Sequence, residues 1–145
     1  MDILSALYIQ GMHPRSVHFP IALFISAMGL DVLSLLLKRE NLHRTASHMY
    51  ILATLVTPLV VLTGLSEAEH LHLHHPVLNL HKTFALLTMS TSLISLPILW
   101  IVKKKNAKAF RSIFFLFALL IVIFVSITGY NGGRMVYEYG VGVEQ

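Results

Sequence analysis

Four long apolar stretches constrain this 145-residue chain more than any other feature. They run from about Val17 to Leu37, Met49 to Leu65, Thr83 to Val102 and Ile113 to Tyr130. Each is close to the roughly 17 to 25 residues that a helix needs to cross a bilayer. With their polar flanks the expected spans are 14–37, 48–66, 77–102 and 112–131, so residues 1–145 read as one integral membrane domain with short loops. The second stretch is the most diluted, by Thr54, Thr57, Pro58, Thr63 and Gly64, but Leu, Ile and Val fill the gaps. The expectation is an all-α, four-helix transmembrane bundle. Composition agrees: 55% of side chains are hydrophobic and 12% charged, against about 25% charged in soluble domains. Nothing in residues 1–10 reads as a signal peptide, because Asp2 sits where a basic region would be.

Charge then orients the bundle. The segments Lys38 to Ser47 and Lys103 to Ser112 hold eight of the 11 Lys and Arg residues. The opposite side keeps Arg15, Lys82 and Arg134 against Asp2, Glu67, Glu69, Glu138 and Glu144. By the positive-inside rule both termini are expected outside and both basic loops in the cytoplasm. The net charge of +4 follows from those loops, which argues against a nucleic-acid partner.

The chain has no cysteine and nine histidines. Disulfides, thiolate metal sites and cysteine nucleophiles are excluded, and any cofactor chemistry falls to imidazole. Seven histidines lie on the outer side: His13, His18, His70, His72, His74, His75 and His81. Two outer helix starts share a layout, His13-Pro14 followed by His18, and His75-Pro76 followed by His81. Proline suits the first helical position. If Pro14 and Pro76 open their helices, His18 and His81 lie at nearly equal depth, about 6 and 7.5 Å along the axes. Facing imidazoles at matched depth are what a bis-histidine haem b requires, with Arg15, Lys82 and Arg134 as cations for its propionates. The competing reading is that these are interfacial or hydrogen-bonded histidines without a cofactor. His18 and His81 are the expected ligands, and His13, ahead of its proline, is expected to cap the helix or lie at the surface.

Other features are secondary. The tract from Glu67 to His75 offers two carboxylates and four histidines to zinc or copper, but its His-Leu alternation fits an amphipathic segment in the interface better. His43 and His48 are expected at the headgroups. Asp31 is the sole acid inside a span; pairing with a basic-loop residue or capping a hydroxyl is favoured there over proton relay. Pro20, Pro58 and Pro97 interrupt three spans. The segment 129–143 spends five of fifteen residues on glycine and reads as a cap folded over the outer mouth, with Tyr130, Tyr137 and Tyr139 at the interface.

Two signatures resemble a known family. His13-Pro14-x-x-Val17-His18-Phe19-Pro20 and Gly129-Tyr130-x-Gly132-Gly133-x-x-Val136-Tyr137-x-x-Gly140-Val141-Gly142-Val143, with His81-Lys82 at the third helix, are similar to the bacterial four-helix membrane proteins of domain-of-unknown-function family 2231. The resemblance implies the four-span fold and a multi-pass protein of the bacterial inner membrane, with no settled activity attached. Relatives often carry a histidine where this chain has Tyr139, and an acid where it has Arg134.

The expected function is an electron-transfer subunit binding haem b near the periplasmic face. Its partners would be the lipid bilayer with a periplasmic cytochrome, a quinol or a larger membrane redox complex, and a homo-oligomer is compatible with the pattern. The alternative is a non-redox subunit or small transporter whose outer histidines bind zinc or copper or respond to pH. Independent enzymatic activity has little support, since no Ser-His-Asp pattern, His-Glu-x-x-His or phosphate loop is present.

Overall fold

The computed structural model describes residues 11–70 and 75–141. Within them the chain forms a short helix α1 (Met12–Ser16) and four long ones, α2 (His18–Leu37), α3 (Glu40–His70), α4 (Pro76–Lys105) and α5 (Ala107–Tyr137). Four stretches are long and apolar enough to cross a membrane, with α1 and α2 counting together as one. The 31 residues of α3 extend about 45 Å at about 1.5 Å each, longer than a hydrocarbon core of about 30 Å.

Local chemistry sets the breaks. Pro20 has no N–H for the Ser16 carbonyl and its ring crowds that group, which is where α1 ends. Lys38 adopts φ 53 between α2 and α3. Asn106 alone separates α4 from α5; its Oδ1 accepts from the N–H groups of Lys108 (2.9 Å) and Ala109 (3.3 Å), a standard N-cap. Pro76 is the first residue of α4, as its sequence position suggests, and Val77 N–H donates to the ring of the capping His75.

Helix α2 packs chiefly on α3 and α4 on α5, and the two hairpins meet through α2 against α5 and α3 against α4. Both hairpin turns lie at one end of the bundle, with the Lys and Arg loops; residues 11 and 141 lie at the other. These are called here the basic end and the histidine end.

The core between them is built from Phe24, Ala27, Ala46, Tyr50, Ala53, Leu99, Phe114, Ala118 and Ile121. Four of these are alanine, which lets the helix backbones approach closely. Buried hydroxyls are tied to helix carbonyls, as with Thr54 to Tyr50 (2.9 Å) and Thr57 to Ala53 (2.7 Å). The Tyr50 hydroxyl meets Ser95 Oγ at 2.6 Å. Large apolar side chains such as Leu36 (72% exposed), Leu59 (65%) and Leu116 (58%) face outward. A water-soluble bundle would bury these rings of leucine, and a lipid-facing one displays them.

The glycine-rich tail differs from its expectation. Residues 129–137 continue α5 as helix, so the cap is not a glycine loop through this stretch. Gly132 sits in the helix because the His81 ring occupies the space beside it. Only then does the chain turn, at Gly140 with φ 64, where Gly140 N–H reaches Val136 O at 3.1 Å and Val141 N–H reaches Met135 O at 2.9 Å. Gly142 and Val143 lie outside the described residues.

Candidate functional site

At the histidine end the four long helices and α1 surround a cavity of about 800 Å³, within the size range of ligand and cofactor sites. Its deeper wall is apolar, with Ile21, Phe24, Ala85 and Val125. Toward the mouth it is lined by His13, His18, His81, Arg15, Lys82 and Glu67, by Met135 and Val136 at the end of α5, and by Val141 beyond it.

The rings of His13 and His81 stand against each other here, with centroids 6.1 Å apart and planes perpendicular. Each is held by a different opposing helix. His13 Nδ1 lies 3.1 Å from the carbonyl of Val60 on α3 and 3.4 Å from Thr63 Oγ1, and His81 Nδ1 lies 2.9 Å from the carbonyl of Thr128 on α5. A carbonyl only accepts, so both rings carry their proton on Nδ1. In the neutral ring Nε2 is then a bare lone pair, the tautomer used by metal-ligating histidines.

Glycines make the seats. A Cβ at position 64 would come within 2.7 Å of the His13 ring, and one at position 132 within 3.3 Å of the His81 ring. Nothing lies within 4 Å of a Cβ at Gly129 or Gly133, so the fit is specific to the two glycines that face histidines.

The ring beside His81 is therefore that of His13, where the sequence reading expected His18. His18 is exposed on the first turn of α2 and donates from Nδ1 to the carbonyl of Pro14 at 3.0 Å. Pro14 is not the first helical residue. In fact α1 begins at Met12 and is interrupted at Val17, and the half-buried His13 is turned onto α3. Arg15 and Lys82 line the cavity. Arg134 does not: its Nε donates to Glu138 at 2.9 Å and its Nη2 to the Tyr139 hydroxyl at 3.2 Å. Of the His-rich tract, His75 serves as the α4 cap with its ring 4.2 Å from that of Tyr139, while His72 and His74 lie outside the described residues. Among the described residues no three His, Cys, Asp or Glu side chains gather as a metal site.

A second polar cluster sits at the basic end. Asp31 is fully buried, with His43 Nδ1 at 2.6 Å from its Oδ1 and Arg111 Nη2 at 3.9 Å. Arg111 also reaches Glu40 at 3.2 Å and Ser34 Oγ at 2.8 Å. The pairing of Asp31 with a basic-loop residue is thus present, through Arg111. His43 departs from its expected headgroup position, being 6% exposed. Facing Asp31, it is flanked edge-on by Phe110 and Phe114; the buried carboxylate draws the ring inward.

A family model described as Predicted membrane protein (DUF2231) matches residues 10–145. The chain belongs to this family. The match takes in His13, His81, both seat glycines and the Asp31 cluster, so the membrane-spanning helices and both polar sites lie within the family region. No curated protein and no solved structure matches the chain.

The two seats, Gly64 and Gly132, and the carbonyls of Val60 and Thr128 are not legible in the sequence. Backbone carbonyls have no sequence signature, and the pairing of a glycine with a histidine on another helix is visible only once the helices are assembled.

Proposed function

We propose that this membrane protein holds one haem b in the histidine-end cavity, ligated by His13 and His81, and serves as an electron-carrying subunit. The observation that carries the reading is the histidine pair itself, perpendicular and 6.1 Å apart. Two imidazoles sharing one ion, at about 2 Å per metal–nitrogen bond, would have their ring centres roughly 6 Å apart. Haem iron takes four ligands from its own macrocycle, so two histidines complete it, whereas a structural zinc asks the protein for four. The Nδ1 bonds to Val60 and Thr128 hold each ring in one tautomer and raise its basicity as a ligand. Arg15 and Lys82 on the cavity wall would pair with the propionates. The apolar wall would keep water from the haem, which when bound supplies one-electron chemistry. The fitting electron-transfer partners are a periplasmic cytochrome and a quinol or a larger membrane redox complex.

The test is the absorption spectrum of the purified, dithionite-reduced protein together with its metal content. A Soret band with iron near one per chain is expected in the wild type, and its loss in His13→Ala and His81→Ala. Stoichiometric zinc or copper without iron would replace this reading with a non-redox metal-binding subunit. Full haem occupancy in the double variant would remove His13 and His81 as ligands.

A further inference from the structure

The histidine-end cavity is not walled evenly. On α5 its lining runs from Thr128, whose carbonyl bonds His81 on α4, through Val125 and Gly132 to Gly129 and Gly133. Gly129 and Gly133 sit roughly 100° and 140° round the helix from Thr128. The contact with α4, which also sets Phe124 against Phe84, is therefore at one edge of the lining, and the two glycines are at the other, beside α2. Just past them, at about 160° and 200°, come Ser126 and Tyr130, both exposed. The cavity face of α5 thus runs into its outer face across two residues without side chains.

No neighbouring helix closes this edge. A Cβ at Gly129 or Gly133 would meet no atom within 4 Å, whereas one at Gly132, between them, would meet the His81 ring at 3.3 Å. Depth sets the gap against lipid. With Arg111 at the basic surface, Gly129 stands about 27 Å further along the helix axis, near the far edge of a hydrocarbon layer of about 30 Å. The exposed rings of Tyr130 and Tyr137 flank it, as aromatic residues do at that level.

The cavity also carries polar groups that the protein leaves unsatisfied. Glu67 Oε2 is buried without a hydrogen-bond partner, and among the described residues no ion pair engages Arg15 or Lys82. Two cations outweigh one carboxylate. Their complement, above the apolar wall, is an amphiphile with an anionic edge and an apolar body. In a bilayer such a molecule keeps its charged edge at the headgroups and its body in the hydrocarbon, the level at which the gap opens.

We propose that the cavity exchanges its ligand with the histidine-end leaflet through this gap between α2 and α5, the ligand being haem with its carboxylates toward Arg15 and Lys82. The identity of the ligand rests on the reading above; the lateral entrance does not.

The chain has no cysteine, so one placed in the cavity reports access. Thr57 lines the cavity and is 5% exposed. The full chain carrying Thr57→Cys, prepared haem-free in lipid nanodiscs, is expected to react with a maleimide on a long alkyl chain dissolved in the bilayer. Gly129→Leu together with Gly133→Leu should slow that reaction several-fold. Gly29→Leu, equally unobstructed but outside the cavity lining, should not. Leu116→Cys on the lipid face should react at one rate with or without the two leucines. The Soret band acquired from haem-loaded vesicles should rise several-fold more slowly in the double-leucine variant and reach the wild-type amplitude. Labelling of Thr57→Cys only by a sulfonated maleimide from water, or equal alkylation rates with and without the leucines, overturns the entrance. Alkylation slowed by the leucines with no Soret band in the wild type supports the entrance and removes haem as the molecule that uses it.

Discussion

The carbonyl of Thr128 on α5 receives the Nδ1 proton of His81 on α4 at 2.9 Å, and the His13 ring, tied in the same way to Val60, stands edge-on to it. Three interhelical relationships thus converge on two imidazoles. If these rings are ligands, the three cavity histidines should separate sharply. His13→Ala and His81→Ala should each abolish low-spin haem, whereas His18→Ala, whose ring is exposed and tied to Pro14, should retain it. Reduced-minus-oxidised spectra of the three variants check this, and a loss confined to His18→Ala would reverse the assignment.

The glycines supply an ordered series. Gly64→Ala drives a Cβ to 2.7 Å from the His13 ring and Gly132→Ala to 3.3 Å from that of His81, while Gly129→Ala meets nothing within 4 Å. Overpacking costs about 1–3 kcal/mol, and alanine is favoured over glycine inside a helix by up to about 1 kcal/mol. Thermal unfolding in detergent should therefore rank Tm as Gly64→Ala below Gly132→Ala, with Gly129→Ala at or above wild type. Equal values across the series would mean that the histidine seats are not tight.

The buried carboxylate makes a different prediction. Asp31→Ala leaves His43 and Arg111 facing a void and should cost about 3–5 kcal/mol. Asp31→Asn keeps an oxygen for His43 Nδ1–H and should cost distinctly less. Denaturant unfolding of both variants in mixed micelles measures the gap. If the two lose the same amount, the charge of Asp31 and not its hydrogen bond holds the cluster.

Orientation is open to a direct measurement because the native chain has no cysteine. Lys105→Cys at the basic end and Arg15→Cys at the histidine end should react oppositely with a membrane-impermeant maleimide added to intact cells. Arg15→Cys should label from outside and Lys105→Cys only after permeabilisation, as the distribution of Lys and Arg requires. The reverse pattern would turn the bundle over.

How much of this was readable in advance depends on the range of each interaction. The four helices follow from hydropathy runs, a local property summed over one segment, and Pro76 marks a helix start beside the capping bond from Val77 N–H to His75. The helical course of residues 129–137 was not readable, because glycine's intrinsic preference points away from helix and is overridden where lipid supplies no partner for a free backbone. His43 was misplaced for a similar reason. Its sequence neighbours Glu40, Arg44 and Thr45 are polar, while the atoms that hold it are Asp31, twelve residues earlier, and the rings of Phe110 and Phe114.

The sequence by itself determined that the chain crosses a membrane four times, that imidazole is its available ligand chemistry and that most of its histidines share one end. Each of these depends on composition or on contiguous residues. Only the tertiary structure decided that His13 and not His18 meets His81, that Gly64 and Gly132 make room for the rings, and that His43 and Arg111 converge on Asp31. Those outcomes depend on how helices far apart in sequence are rotated against one another. A rotation of one residue, about 100° on a helix, exchanges which histidine faces the cavity and leaves the hydropathy pattern that makes the bundle unchanged.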